Sequence, residues 1–140
     1  VGSFSGANMT LSCPPQAVAP EQHGIVLFAH GSRDPQWRAP IEAVLAQLQR
    51  QHPQRPALCA YLELSTPNLA QGCAQLIAQG VTHLTVVPMF LGTGRHARED
   101  LPLLMQDLRA SHPHIHIHLQ PSIGENPRVT ALLADIAAEI

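Results

Sequence analysis

The sequence contains no lysine and few charged residues, and these shortages narrow the classes of protein to which it can belong. Only 13% of its 140 residues are charged, the formal net charge is −2, and all eight cations are arginine. With so little net charge there is no global field that attracts nucleic acid or an anionic membrane, so we expect neither as a partner. No apolar run approaches the roughly 18 residues of a transmembrane helix.

Cysteine is also scarce, with three residues and no CxxC spacing. The odd number and the missing spacing therefore indicate neither a disulfide framework nor a thiolate zinc site. Cys59 and Cys73 fall in apolar runs and are expected to be small core residues. The start of the chain lacks the features of a signal peptide, and we expect a cytoplasmic protein. The segment Val1 to Asn8 before Met9 fits a remnant of an expression tag.

From Gly24 onward, apolar runs alternate regularly with helical patterns. We predict strands at about 25–30, 57–63, 83–90 and 115–120, and helices at about 36–51, 67–79, 97–111 and from Pro127 to the end. Four βα units in series predict an α/β fold with a four-stranded parallel sheet flanked by helices on both faces. The expected strand order is 2-1-3-4, flavodoxin-like with one strand fewer, in a single domain over 23–140 after an extension over 1–22.

Two histidines lie near the ends of apolar runs. Each of them is next to a turn that contains glycine. His30 precedes Gly31-Ser-Arg-Asp-Pro35, and His96 follows Gly92-Thr-Gly-Arg95. In a parallel sheet these turns share the edge at which open α/β sheets bind ligands, so the two imidazoles could together bind a metal ion. A lone histidine is more often structural. A phosphate cradle is the weaker alternative, because neither GxGxxG nor a Walker pattern is present.

Glu63 is the third candidate, because a carboxylate at the end of an apolar strand is costly unless it has a partner or reaches water. As a functional group it would accept a proton or guide a metal ion. Guanidinium groups around the two motifs favour an anionic ligand, although helix-surface arginines are the alternative. They belong to Arg33, Arg38, Arg95 and Arg98.

Four histidines alternate through the predicted fourth strand, at positions 112, 114, 116 and 118. A spacing of two places them on one side of a strand, where neighbours stand about 6.6–6.8 Å apart. Two of them could share a metal ion only by leaning together. We therefore expect His112, His114, His116 and His118 to form a solvated face of an edge strand, while a metal reservoir stays an alternative.

Three of these segments together resemble the CbiX/SirB family of sirohydrochlorin chelatases. They are Ala29-His-Gly-Ser-Arg-Asp-Pro35, Tyr61-Leu-Glu-Leu-Ser-Thr-Pro67, and Pro88-Met-Phe-Leu91 through His96 to Asp100-Leu-Pro102. The resemblance covers residues 24–140 and corresponds to the short, single-domain form, which assembles as a homodimer. It implies ATP-independent insertion of cobalt, iron or nickel into sirohydrochlorin, on the way to cobalamin, sirohaem or a nickel tetrapyrrole. The divalent metal is a substrate, and no organic cofactor is implied.

The resemblance implies that His30 and His96 bind the metal and act catalytically with Glu63. Neutral imidazole is needed for ligation, so activity should fall as the pH drops through the histidine range. Sirohydrochlorin is a flat polyanion, so we expect it to contact polar and cationic side chains together with apolar walls. The residues assigned to it are Ser32, Arg33, Arg38, Arg95, Arg98, Phe90 and Leu91.

Two other functions remain open from the sequence. One is a metal or tetrapyrrole carrier that uses the same cleft without catalysis. The other is a phosphohydrolase with a histidine nucleophile, because a His-Gly after the first strand recurs in such enzymes. They place an arginine immediately before that histidine, whereas this chain has Ala29.

Overall fold

A computed structural model describes residues 18–139 of the chain. The predicted tag remnant, most of the predicted N-terminal extension and Cys13 lie outside the described residues. A 3₁₀ turn over Pro20–Gln22 leads into the first strand. None of the helices within 18–139 is both long and apolar enough to cross a membrane.

The sheet has four parallel strands, which are β1 (His23–Ala29), β2 (Ala57–Tyr61), β3 (His83–Pro88) and β4 (His116–Leu119). Their spatial order is β2-β1-β3-β4, which confirms the predicted order 2-1-3-4. Three of the strands start close to the predicted residues, but all four end one or two residues earlier. The segments that follow their carboxyl ends, which carry the candidate site, are therefore loops rather than strand.

In the described part of the chain, four α-helices connect or follow the strands: α1 (Ala39–Gln51), α2 (Leu69–Ala78), α3 (Arg95–Ser111) and α4 (Pro127–Ala137). The prediction that the first helix begins near residue 36 is wrong, because Pro35–Arg38 form a 3₁₀ turn. Asp34 caps that turn by accepting a hydrogen bond from the Gln36 amide.

The start of α2 also differs from the prediction, because the helix begins at Leu69 rather than at about residue 67. Asn68 is the N-cap, and its side chain and that of Gln71 each accept a hydrogen bond from the other residue's backbone amide. This reciprocal capping box satisfies two amides that the first helical turn leaves free. The segment from Leu62 to Pro67 is consequently a loop at the sheet edge.

The two faces of the sheet are covered unequally. One face packs against α2 and α3 through a continuous core that contains Val26, Phe28 and Val86. The other, which we call the open face, packs against α1 through a smaller cluster around Leu27 and Val87. Helices thus lie on both faces as predicted, but α4 has no buried residue and covers neither.

Candidate functional site

His30 stands directly after β1 at the carboxyl edge of the sheet. The next residue, Gly31, has a φ of +100°, and a Cβ atom there would lie 1.7 Å from the backbone oxygen of Glu63. Only glycine fits this position, because it tolerates positive φ and has no side chain to collide with the neighbouring loop. The histidine is therefore presented by a turn that is closely packed against the segment following β2.

Backbone hydrogen bonds extend the pairing of β1 and β2 beyond the strands and place Glu63 beside His30. The Leu62 amide donates to the Ala29 carbonyl at 2.8 Å, and the Glu63 amide donates to the His30 carbonyl at 3.0 Å. The side chain of Glu63 is exposed to solvent. The carboxylate of Glu63 therefore reaches water, and the predicted extension of the strand to residue 63 is wrong, because β2 ends at Tyr61.

Ser65 joins the loops that follow β1 and β2. Its hydroxyl donates to the Ser32 carbonyl at 2.8 Å and accepts from the Ser32 amide at 3.2 Å. The hydroxyl of Ser32, assigned to substrate binding from the sequence, accepts a hydrogen bond from the Asp34 amide at 3.0 Å. Ser32 therefore helps to hold the shape of the loop that carries Arg33.

The ring of His30 leans on Phe90, with ring centroids 4.7 Å apart. Phe90 is 4% exposed and also packs edge-on against Phe28. The structure thus places Phe90 in the core as a support for His30, which leaves little of it for a substrate to contact. Its neighbour Leu91 is 69% exposed and is available as an apolar surface at the same edge.

His96 lies in the first turn of α3 and is exposed, while the adjacent Ala97 is buried and fixes the helix against the core. The preceding loop is tied to the segment after β4, because the hydroxyls of Thr93 and Ser122 are 2.6 Å apart. The end of β3 is in turn joined to β1 by a hydrogen bond from the Met89 amide to the Phe28 carbonyl, at 2.7 Å. The loop that leads to His96 therefore starts beside β1, the strand that His30 follows.

His30, Glu63 and His96 thus follow three strands whose carboxyl ends meet at one edge. Within residues 18–139, however, no three His, Cys, Asp or Glu side chains converge closely enough to hold a metal ion. The edge brings the three residues to one side of the molecule, and their side chains do not form a compact three-ligand site.

The four candidate arginines differ in their exposure and in the partners of their guanidinium groups. Arg95 forms an exposed ion pair with Glu99 at 2.8 Å, and Arg98 donates to the Thr93 carbonyl at 3.5 Å. Arg33 is exposed on the loop after β1. The Nε atom of Arg38 is buried without a hydrogen-bond partner among the described residues, and such an unmatched donor is costly unless a ligand satisfies it.

Trp37 is a further candidate for ligand contact that none of the sequence motifs indicates. This side chain is 39% exposed and lies near Tyr61, with ring centroids 6.3 Å apart. It lines a cavity of about 460 Å³ that also reaches Ala29, the residue before His30. Two features of the sequence could have indicated Trp37. It is the only tryptophan of the chain, and it lies within eight residues of His30.

The thiols of Cys59 and Cys73, the two cysteines among the described residues, are not candidates for nucleophilic chemistry. Burial raises the pKa of Cys73 to about 11, and burial also raises the pKa of Cys59. Both thiols are buried, as expected for small core residues, and they remain protonated near neutral pH.

A second group of histidines lies at the opposite, amino-terminal edge of the sheet. His23, His83 and His116 are aligned in register across β1, β3 and β4. The prediction that His112 and His114 belong to the fourth strand is wrong, since α3 ends just before His112 and a turn follows. His116 and His118 are in β4 and are exposed, as expected for an edge strand.

In this amino-edge row, ring nitrogens of His23 and His83 have partners within the protein, and the Nδ1 atom of His83 lies 2.9 Å from the Thr82 hydroxyl. The Nε2 and Nδ1 atoms of His23 lie 2.8 Å from the Thr85 hydroxyl and 3.0 Å from an Arg55 nitrogen. The ring of His83 stacks on that of His116, with centroids 4.5 Å apart. These contacts are those of structural histidines.

Comparison with known proteins gives consistent matches. Sirohydrochlorin cobaltochelatases from Methanococcoides burtonii and Methanothermobacter thermautotrophicus are 30% and 32% identical over 61% and 59% of this chain. The matched segments span 66% and 57% of those two relatives, so the chain covers about three fifths of their length.

Solved structures agree with these matches. A CbiX protein from Marinobacter aquaeolei VT8 is 39% identical, with a TM-score of 0.71 over 82% of this chain and 93% of that protein. The Bacillus subtilis sirohydrochlorin chelatase SirB in complex with cobalt is 28% identical, with a TM-score of 0.68 over 83% of this chain and 51% of SirB. The CbiX family model matches residues 24–140. The chain therefore belongs to the CbiX family.

Proposed function

We propose that the protein inserts a divalent metal ion into sirohydrochlorin, with cobalt as the first candidate and iron or nickel as alternatives. The observation that carries this proposal is the carboxyl edge of the sheet, where His30 and Glu63 are neighbours and the loop to His96 begins beside them. Relatives of the same family bear the names sirohydrochlorin cobaltochelatase and sirohydrochlorin ferrochelatase. The fold, the edge and the family point to the same reaction.

The residues at this edge suit the chemistry of insertion. Two pyrrole N–H protons must leave the macrocycle as the metal ion forms bonds to its four nitrogens. Neutral imidazoles of His30 and His96 would hold the incoming cation as borderline ligands, and a displaced imidazole can accept a proton. The exposed carboxylate of Glu63 would take the other proton and pass it to water.

The carboxylates of the tetrapyrrole would be bound by the arginines around this edge. Arg33 is exposed, and the unsatisfied Nε atom of Arg38 is a donor for which the described residues provide no acceptor. Arg95 would exchange its exposed ion pair with Glu99 for a substrate carboxylate at little cost, since such surface pairs are worth under about 1 kcal/mol. Arg98 is held only by a long hydrogen bond to the Thr93 carbonyl. Leu91 would contact the face of the macrocycle.

We further propose that the protein works as a homodimer in the cytoplasm, without an organic cofactor. The homodimer follows the short form that the sequence resembles. The free Cys59 and Cys73 thiols are compatible with a reducing compartment.

The test is the rate of metal insertion by purified, metal-free protein. Sirohydrochlorin is mixed with Co²⁺, Fe²⁺ or Ni²⁺ in separate reactions, and its visible spectrum is followed with and without the protein. The proposal predicts a rate well above the spontaneous one for at least one metal, and the metal with the largest acceleration is the preferred substrate. A protein that binds sirohydrochlorin or Co²⁺ but leaves the insertion rate unchanged is a carrier, and this result would overturn the proposal.

A further inference from the structure

Leu64 has a backbone conformation that leucine rarely adopts. Its φ is +65°, and among residues 18–139 it is the one non-glycine residue with a positive φ. The left-handed region brings the Cβ atom of an L-residue close to a backbone oxygen, so it disfavours most residues other than glycine, asparagine and aspartate. A bulky side chain at this φ is therefore an outlier, and such an outlier persists only where its surroundings enforce it.

The loop after β2 is fixed on both sides of Leu64. Just before it, the Glu63 amide donates a hydrogen bond to the His30 carbonyl at 3.0 Å. Just after it, the Ser65 hydroxyl donates to the Ser32 carbonyl at 2.8 Å. Leu64 therefore takes up the turn between two anchored neighbours, and the chain has little freedom to relax the strain.

The leucine side chain contributes little to the packing of the fold. It is 53% exposed, and within residues 18–139 neither core cluster includes it, whereas the nearby Leu62 packs against the first cluster. A glycine or an asparagine would make the same turn with less backbone strain. Position 64 thus combines a strained backbone with exposed apolar surface. A ligand that covers the side chain would account for both.

Leu91, on the loop after β3, is presented in a similar way. Its side chain is 69% exposed, while a Cβ atom on Gly124 would lie 1.9 Å from its backbone oxygen. The corresponding contact on the side of Leu64 is at Gly31, where a Cβ atom would lie 1.7 Å from the Glu63 oxygen. Each exposed leucine therefore lies on a loop whose backbone is held by a closely packed glycine.

The two leucines follow strands on either side of His30. Leu64 follows β2, Leu91 follows β3 and His30 follows β1, which lies between the other two strands. Neighbouring strands are about 4.8 Å apart, so the two loops begin roughly 10 Å from each other. A ligand that covers both leucines must be wide and must offer an apolar face. A ring of four pyrroles meets these requirements, whereas a phosphate ester does not.

We propose that Leu64 is a substrate-binding residue, which together with Leu91 contacts the face of the tetrapyrrole across His30. The inference rests on sirohydrochlorin as the substrate of the function proposed above. Apolar contacts to the macrocycle are the same before and during the entry of the metal ion. Changes at position 64 should therefore raise the KM for sirohydrochlorin and leave kcat nearly unchanged.

The first test measures the binding of metal-free sirohydrochlorin to Leu64→Asn. Asparagine tolerates the left-handed conformation, so urea denaturation should show that the variant folds about as well as the wild type. Its dissociation constant, from absorbance titration, should rise about tenfold, because roughly half of an apolar side chain is no longer buried by the ligand. Leu103→Asn, at a leucine of α3 that is 61% exposed, is the matched control and should bind like the wild type. An unchanged dissociation constant in Leu64→Asn would overturn the inference.

The second test separates the side chain from the backbone strain. Leu64→Ala and Leu64→Gly both remove the apolar side chain, but only glycine also relieves the strain. Both variants should bind sirohydrochlorin about tenfold more weakly, and Leu64→Gly should unfold at a higher urea concentration than Leu64→Ala. A lower kcat with an unchanged KM in Leu64→Gly would overturn the inference, because the strained backbone would then serve the reaction in place of binding.

The wild type distinguishes failure of this inference from failure of the proposed reaction. If it binds sirohydrochlorin without accelerating metal insertion, the proposed reaction is overturned, and the binding of the Leu64 variants still decides the role of the side chain. If it inserts the metal ion and the Leu64 variants bind normally, only the present inference is overturned. A wild type that does not bind sirohydrochlorin overturns both.

Discussion

The sheet carries histidines at both of its edges, and the two groups differ in what their rings do. At the amino edge, His23, His83 and His116 form an in-register row. The ring of His23 is within hydrogen-bond distance of Thr85 and Arg55, and the rings of His83 and His116 stack on each other. At the carboxyl edge, the ring of His30 leans on Phe90, and no hydrogen bond to its nitrogens is found within residues 18–139.

This difference shows that the number of histidines is a poor guide to a metal site. The amino edge is richer in imidazole, yet both ring nitrogens of His23 and the Nδ1 atom of His83 already have partners within the protein, and the rings of His83 and His116 stack on each other. The carboxyl edge has fewer histidines, but it combines them with an exposed carboxylate, a strictly required glycine and a donor of Arg38 that lacks an acceptor. Chemistry is therefore expected at the carboxyl edge.

The largest expected effect is on catalysis by the carboxyl-edge histidines. His30→Ala and His96→Ala should each reduce the rate of cobalt insertion by about 1,000-fold, in the range typical of a lost catalytic proton acceptor. His83→Ala is the control from the amino edge and should retain the rate within about threefold. Initial rates from the visible spectrum of sirohydrochlorin provide the measurement, with circular dichroism to confirm folding. Equal losses at the two edges would remove the distinction between them.

Glycines at the two edges provide the next comparison, through the free energy of unfolding. Gly31 and Gly80 both have positive φ, but a Cβ atom meets the Glu63 carbonyl only at Gly31 and has open space at Gly80. Gly80→Ala should cost about 1 kcal/mol from backbone strain alone, and Gly31→Ala about 3 kcal/mol because the loops must also separate. Urea denaturation measures both. Similar losses of unfolding free energy in the two variants would mean that the Glu63 loop moves away from a Cβ atom at position 31 at little cost.

A smaller effect is expected at Glu63. Glu63→Gln keeps the size of the side chain but removes its proton acceptor, and it should slow insertion about tenfold, since an exposed carboxylate can be partly replaced by water. Glu21→Gln, at an exposed glutamate near the amino edge, is the matched control and should leave the rate unchanged. An unaltered rate in Glu63→Gln would assign proton removal to another group.

The smallest effect concerns the pH dependence of stability at the amino edge. Burial, then Arg55, then His83 lower the pKa of His23 below its ordinary value of 6.5. The unfolded chain therefore binds a proton at higher pH than the folded chain, and the free energy of unfolding falls as the pH drops below about 6.5. His23→Gln should flatten this decline by under about 1 kcal/mol between pH 7 and 5. His52→Gln, at an exposed histidine, is the control. A decline as steep in His23→Gln as in the wild type would contradict the role given to burial.

The strands of the sheet could be predicted from the sequence, because each strand corresponds to an apolar run. Four runs separated by helical patterns predict four parallel strands, and the order β2-β1-β3-β4 agrees. The ends of the elements were less accurate, because local hydrogen bonds decide them. Asn68 caps α2, which begins at Leu69 rather than at about residue 67, and Asp34 caps a 3₁₀ turn where an α-helix is predicted.

The candidate site was predicted in outline, since strand ends place His30, Glu63 and His96 at one edge. Whether the residues next to them are buried or exposed depends on tertiary packing, which the spacing of residues in the sequence does not reveal. Phe90 follows the same strand as Leu91, yet the first is 4% exposed and the second 69%. The alternation of histidines near β4 suggested one uniform face, but the helix extends to Ser111 and a turn follows, so only His116 and His118 belong to the strand.

The most direct test of the account compares paired variants at the two edges in one assay. His30→Ala with His96→Ala, and His83→Ala with His116→Ala, each remove two imidazoles from an edge while the chain stays folded. Cobalt insertion into sirohydrochlorin is measured for both under identical conditions. The account predicts that the carboxyl-edge double variant falls to the spontaneous rate and that the amino-edge double variant keeps most of the wild-type rate. Retained insertion in the carboxyl-edge variant would contradict the account.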